Sequence, residues 1–178
     1  LRELADCLSK KSSEFGLQIF LVSDEPYRKI VYDNIEAPSI FSCYKDSIIA
    51  TSYSKDLSLP GERIGFTAVN PEIEEKKLLL DAMTLANRIL GFINAPALMQ
   101  RIAAGLQGIN VDISEYDRKR RLLCENLSKL GYSFTYPSGA FYLFPETPAK
   151  DDLEFIQALQ EELILAVPGS GFGAPGYF

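Results

Sequence analysis

Ser52-Tyr53-Ser54-Lys55-Asp56 follows the apolar run Ser47 to Thr51, which places a lysine at or just beyond the end of a strand. In α/β sheets ligands sit there, outside the carboxyl ends of the strands. Thirty-one residues before this lysine, the apolar run Leu17-Gln18-Ile19-Phe20-Leu21-Val22-Ser23 ends on Asp24 and leads into Glu25-Pro26-Tyr27. Eight residues after the lysine stands Arg63, just past the Pro60-Gly61 turn. The pattern predicts strands over 17–23, 47–52 and 63–69, and their spacing favours an α/β sheet.

Helical patterns surround these strands. Leu1, Leu4, Ala5 and Leu8 mark an amphipathic helix over 1–15 that lacks a start signal. After Pro71 an acidic segment continues as a helical pattern toward Leu90, and Pro96 suits the first turn of another helix reaching Leu106. Gly105 and Gly108 weaken that pattern, so a domain boundary is expected near 107–113, giving domains 1–108 and 109–178. In the second domain a long helix is expected from Ile113 to Leu130, ended by Gly131. One or two strands are expected within 132–144, a helix over 151–162 and a strand over 163–167.

Lys55, Asp24, Tyr27, Ser52 and Arg63 together supply what pyridoxal phosphate requires: a lysine for a Schiff base, a carboxylate opposite the pyridine nitrogen, and cationic and hydroxyl groups for the phosphate. A carboxylate such as Asp24 keeps the pyridine nitrogen protonated, which makes the ring a better electron sink. A guanidinium fork, here Arg63, matches phosphate oxygens, and the Ser52 hydroxyl adds a neutral donor. Tyr27 is placed to hydrogen-bond the ring hydroxyl. Lys55 must shed its proton to be nucleophilic, which burial and neighbouring positive charge favour. Taken singly, each residue has an ordinary explanation as a loop charge, a cap or a surface ion pair, Arg63 with Glu62 or Asp56 for example. The combination and order carry the reading.

Several segments resemble the fold-type I pyridoxal phosphate enzymes, specifically the class I/II aminotransferases of the aspartate aminotransferase kind. Ser23-Asp24-Glu25-Pro26-Tyr27 is similar to that family's cofactor-nitrogen strand. Ser52-Tyr53-Ser54-Lys55 and the later Leu59-Pro60-Gly61-Glu62-Arg63-Ile64-Gly65 resemble its lysine loop and phosphate arginine. Pro137-Ser138-Gly139-Ala140-Phe141-Tyr142 and Pro168-Gly169-Ser170-Gly171-Phe172-Gly173 resemble its small-domain strand and the loop before its substrate-carboxylate arginine.

The resemblance implies the C-terminal part of a large domain, a mostly parallel sheet with helices on both faces, followed by a smaller α+β domain. It implies Lys55 as the catalytic lysine, with Asp24, Tyr27, Ser52, Ser54, Lys55 and Arg63 around the cofactor, Ser54 only as a flanking hydroxyl. It also implies amino acid and 2-oxo acid substrates and a homodimer. The alternatives are a β- or γ-lyase on the same scaffold and a non-catalytic sensor domain of a regulator, because fold does not fix reaction. The chain opens on Leu1 without methionine and stops at Phe178, where the family would soon place its arginine. It is therefore expected to be a piece of a longer enzyme, and a poor catalyst alone.

Composition excludes several other classes. The chain has 178 residues, 47% of them apolar, enough for a sizeable core. A net charge of −6 argues against a nucleic-acid surface. Arg118-Lys119-Arg120-Arg121 stands beside Glu115, Asp117 and Glu125 in a helical pattern and reads as a solvated helix face. The absence of histidine removes the usual base of serine and cysteine hydrolases and the commonest metal ligand. Cys7, Cys43 and Cys124 are odd in number and widely spaced, which fits neither a disulfide framework nor a zinc site and suggests a cytoplasmic protein. No apolar run reaches membrane-spanning length. Gly169-Ser170-Gly171-Phe172-Gly173-Ala174 matches a dinucleotide fingerprint, but Pro168 and Pro175 bracket it and no helix is expected after it. Tyr53, Phe141 and Tyr142 read as packing residues, whereas Phe172 and Tyr177 are candidates to line a substrate pocket.

Overall fold

The apolar run after Asp46 becomes the central strand of a three-stranded sheet in a computed structural model that describes residues 1–149 and 151–178. Strand β1 (Leu21–Asp24) pairs parallel with β2 (Ser47–Ser52), from Leu21 opposite Ser47 to Asp24 opposite Ala50. Strand β3 (Gly65–Val69) pairs antiparallel with β2, from Val69 opposite Ile48 to Gly65 opposite Ser52. The carboxyl ends of β1 and β2 and the amino end of β3 therefore share one edge.

Two strands are shorter than the sequence pattern predicts, for identifiable reasons. Residues 17–20 lie outside β1, because β2 begins only at Ser47 and offers no ladder partner before it. The Gln18 amide instead donates to Asp46 at 2.8 Å, and the Tyr44 hydroxyl donates to the Ile19 carbonyl at 2.7 Å. At β3, Pro60–Glu62 form a 3-10 turn and Arg63 takes a left-handed backbone, φ 50°, so the ladder starts at Gly65.

Gly65 is there for lack of space. A Cβ at this position would lie 2.2 Å from the Thr51 carbonyl oxygen and 3.0 Å from Ser52 Cα. At the opposite end of the sheet, fully buried Asn70 pins the strands. Its Nδ2 donates to the Phe41 and Tyr44 carbonyls and to Ser47 Oγ at 3.1–3.2 Å, and its Oδ1 accepts from Glu72 N at 3.0 Å. A buried amide with its donors and acceptor satisfied specifies register without an unpaired polar group.

The chain divides into two compact units, Leu1–Lys29 with Glu36–Val111, and Ile30–Ile35 with Asp112–Phe178. The first unit holds the sheet and three helices, α1 (Arg2–Phe15), α2 (Lys76–Ile89) and α3 (Ala97–Gly105). Helix α2 starts five residues after Pro71, because Glu75 sits in the left-handed region, φ 54°, and breaks the helical run there.

The second unit contains α4 (Ile113–Lys129), capped by Asp112, and α5 (Asp152–Glu161), capped by Asp151. Among the described residues it has no multi-residue strand, so the strands expected within 132–144 and 163–167 do not form. Extended backbone counts as a strand only beside a partner. Val31 meets Gly139 and Glu146 meets Tyr177 at single bridges, and 163–167 meet no ladder.

Arg120 organises this unit. The basic run on α4 is solvated at Arg118, Lys119 and Arg121, but the Arg120 side chain is only 5% exposed. Its guanidinium pairs with Asp33 at 2.8 Å, donates to Asp117 and the Pro137 carbonyl, and lies 4.3 Å and 4.8 Å from the ring centres of Tyr32 and Tyr136. A planar, weakly hydrated guanidinium suits this sandwich better than an ammonium would. Its hydrogen bonds hold the Asp33 carboxyl below the usual carboxylate range. Nearby, Val31 and Gly139 form their bridge while Tyr32 N donates to the Ser138 carbonyl at 3.0 Å and Ala140 N to the Ile30 carbonyl at 2.8 Å.

The glycine-rich segment 169–174 folds on itself. Gly169 N donates to the Tyr177 carbonyl at 2.7 Å, and a Cβ on Gly169 would lie 2.3 Å from the Ala174 carbonyl. Its glycines serve a tight 3-10 turn, Gly169–Phe172, whose Ser170 N donates to buried Asp152 at 2.8 Å. The segment forms a short 3-10 turn closed by Gly173 rather than opening an α-helix, so the dinucleotide reading has no support. Among the described residues, no helix is long and apolar enough to cross a membrane.

Two outcomes are expected. Gly65→Ala should destabilise the protein by at least the ~1–3 kcal/mol typical of overpacking, read from urea unfolding. An unchanged midpoint would contradict the close approach of β2 and β3. Because the folded-state pKa of Asp33 is lowered, its contribution is present above its ordinary value of 3.8 and lost as pH falls through the folded value. Asp33→Asn should therefore flatten the fall in stability below about pH 4, and an identical acid profile would show that the Arg120 pair contributes nothing.

Candidate functional site

The shared sheet edge brings together the segments that carry the candidate residues. Asp24 is the last residue of β1 and is exposed. The chain then enters a turn over Pro26–Lys29 that carries Tyr27. Glu25 N donates to the Ala50 carbonyl at 2.8 Å and Thr51 Oγ1 to the Glu25 carbonyl at 3.0 Å, which fastens the start of this turn to β2. Arg28 fastens the rest, pairing with Glu25 at 2.8 Å and donating to the Ala37 and Pro38 carbonyls at 2.9 and 3.1 Å.

Ser52 ends β2 opposite Gly65, and Ser54 and Lys55 lie in the turn that follows, all three half-buried. The Lys55 ammonium nitrogen stands 5.8 Å from the centre of the Tyr27 ring. That contact unites residues 28 positions apart in sequence. Tyr53 N donates to the Ile64 carbonyl at 3.1 Å, while the Tyr53 ring packs 5.9 Å from Phe66 and its hydroxyl accepts from Gln107 at 3.1 Å. Tyr53 is thus a packing residue.

Arg63 stands two residues before β3, at the same edge, exposed, with its guanidinium donating to the Pro60 carbonyl at 3.1 Å. Asp56 is paired with Lys29 at 2.9 Å rather than with Arg63. A non-glycine residue in the left-handed region is strained, and such strain is found at ligand sites. Here it turns the chain into β3 while leaving the guanidinium in solvent.

The donor set at this edge fits pyridoxal phosphate. It combines one half-buried amine beside a phenol, an exposed carboxylate at a strand end, and a hydroxyl and a guanidinium where β2 and β3 meet. Groups that sequence reasoning left out are Lys29, Thr51 and Asp56. Their links run between separate turns, and a lone charge or hydroxyl next to an apolar run carries no signal of such a partner. In the second unit, Tyr177 stacks on Phe144 at 5.2 Å and Phe172 meets the edge of Phe144 at 6.2 Å, an aromatic cluster near the chain's end. Phe141 stacks on Tyr116 at 5.5 Å, and with Tyr142 it borders an apolar cavity of about 280 Å³.

Comparison with known proteins points the same way. Residues 14–178 match the family model described as Aminotransferase class I and II. The chain is 30% identical over 184 residues to the (5-formylfuran-3-yl)methyl phosphate transaminase of Methanocaldococcus jannaschii, covering 97% of this chain and 48% of that protein. It is 33% identical to a probable aspartate/prephenate aminotransferase of Aquifex aeolicus, covering 94% and 46%. Among solved structures, an aminotransferase from Eubacterium rectale superposes with a TM-score of 0.95 at 44% identity, covering 99% of this chain and 44% of that one. An aspartate aminotransferase from Thermotoga maritima gives 0.75 at 28% identity. The chain thus spans just under half the length of the relatives it matches, 48% and 46% of the two proteins above.

Replacing Arg63 with glycine should relieve the left-handed strain. Arg63→Gly is expected to raise unfolding stability by up to about 1 kcal/mol, since left-handed backbone disfavours residues with a Cβ by roughly that much. A loss of stability in urea unfolding would contradict the φ assigned to Arg63.

Proposed function

Because this chain belongs to the class I and II aminotransferase family, we propose that it forms the lysine-bearing part of a pyridoxal phosphate-dependent aminotransferase acting on an amino acid and a 2-oxo acid. The observation that carries this reading is the convergence of the Asp24, Tyr27, Ser52, Lys55 and Arg63 segments on one sheet edge. The cofactor, when bound, supplies an electron sink for negative charge developed at the substrate's α-carbon.

The remaining chemistry falls to the chain's own side chains. Lys55 would hold the cofactor covalently through its Nζ. Its Nζ would also serve as the general base and then acid that moves the substrate's α-proton. Asp24 would pair with the pyridine nitrogen and keep it protonated. The Tyr27 hydroxyl orients the ring by a hydrogen bond. Ser52 and Arg63 bind the phosphate, Arg63 through its fork of donors, and Ser54 contributes at most a flanking hydroxyl.

We assign residues 1–108 to the cofactor-binding large domain and 109–178 to the small domain; the compact units change over close to that boundary, at Val111 and Asp112, although Ile30–Ile35 belong to the second unit. A homodimer follows from the same family reading. A cytoplasmic location is consistent with free thiols at Cys7, Cys43 and Cys124. The relatives named above are all aminotransferases, which favours transamination over elimination and over a non-catalytic sensor role.

Peptide mapping after borohydride reduction, on protein from the natural gene supplied with pyridoxal phosphate, tests the reading. A pyridoxyl phosphate adduct is expected on Lys55 and absent in Lys55→Ala. A folded protein without an adduct on Lys55 would contradict the proposed chemistry.

A further inference from the structure

Asp56 follows Lys55 directly and lies in the same turn, yet it is only 6% exposed. Its Oδ2 meets the Lys29 ammonium at 2.9 Å, while its Oδ1 is buried without a hydrogen-bond partner among the described residues. Its backbone carbonyl accepts from Val111 N at 2.8 Å. Lys29 closes the turn that carries Tyr27. The ion pair therefore joins the turn leaving β2 to the turn leaving β1, where Lys55 Nζ approaches the Tyr27 ring.

Stability is a weak reason for such a pair. Desolvating a carboxylate offsets most of what its partner returns, and a buried oxygen without a donor adds to the penalty. A neutral pair of similar volume would hold the fold about as well. Geometry is the stronger reason. Lys55 sits on a flexible four-carbon stem, and its nitrogen attacks a carbonyl well only when the turn beneath it is fixed. Covalently adjacent to Lys55, Asp56 is anchored at its side chain by Lys29 and at its carbonyl by Val111, so it fixes that turn at two points.

We infer that Asp56 is a positioning residue for Lys55: its ion pair with Lys29 holds the Lys55 turn against the Tyr27 turn and presents the amine to the cofactor's carbonyl in one orientation. The inference rests on the pyridoxal phosphate reading above. It assigns Asp56 no contact with substrate or cofactor.

The test compares how fast added pyridoxal phosphate gives a borohydride-stable adduct on Lys55, with the melting temperature measured alongside. Protein from the natural gene is used as wild type, Asp56→Asn, Asp56→Glu, and the double variant Lys29→Met with Asp56→Asn. Adduct formation should slow about five- to thirtyfold in Asp56→Asn and in the double variant, the range that one or two contact-sized couplings correspond to. Asp56→Glu should recover part of the rate. The double variant should melt close to wild type, since it leaves no buried charge unpaired. Equal rates in wild type and double variant would overturn the inference, even where Asp56→Asn alone fails to fold. Rates that merely follow melting temperature across the variants would reduce Asp56 to a structural role and overturn it as well. No adduct on Lys55 in the wild type would overturn the cofactor reading, and this inference with it.

Discussion

Between Thr51 and Gly65 the backbones of β2 and β3 approach so closely that one added carbon would lie 2.2 Å from a carbonyl oxygen. That approach is possible only for glycine, and it seats Ser52 opposite Gly65 two residues from Arg63. The same strand, β2, pairs parallel with β1 on its other side, so Asp24 leaves the sheet beside Ala50 while the chain of β2 runs on toward Lys55. One strand with two differently oriented neighbours thus gathers an acid, a hydroxyl, an amine and a guanidinium that are scattered over forty positions, from Asp24 to Arg63. Backbone pairing sets where these side chains stand.

Charges then refine what the backbone sets. Arg28 and Thr51 fasten the Tyr27 turn, and Lys29 with Asp56 fastens the Lys55 turn to it. In the second unit Arg120 does comparable work between Asp33, Asp117 and two tyrosine rings, and burial raises the pKa of Tyr32 within that cluster. Both units use charge to join segments far apart in sequence. Desolvation opposes such pairs, but losing one partner would leave the other charge unpaired, so each pair ties its two segments together.

Much of this was legible in the sequence, and the limits have physical causes. The helices over 2–15, 97–105, 113–129 and 152–161 follow from apolar period, proline and glycine, which are local signals. So does β2, whose two flanks both supply partners. The strands expected within 132–144 and 163–167 failed because strand formation depends on a neighbour, which no local pattern reports. The order of the candidate segments was readable, since Asp24 and Ser52 end apolar runs and Arg63 follows a Pro-Gly turn just before another. The Lys29–Asp56 pair and the burial of Arg120 were not, because opposite charges far apart in sequence look the same whether they meet or face water.

The edge where β1, β2 and β3 meet is the proposed cofactor site. A crystal structure of the protein from its natural gene, grown with pyridoxal phosphate, tests it most directly. Density continuous from Lys55 Nζ is expected, with the phosphate within hydrogen-bond distance of Ser52 and Arg63 and the pyridine nitrogen at Asp24. Density for the cofactor elsewhere, with Lys55 unmodified and Arg63 free of phosphate, would contradict it.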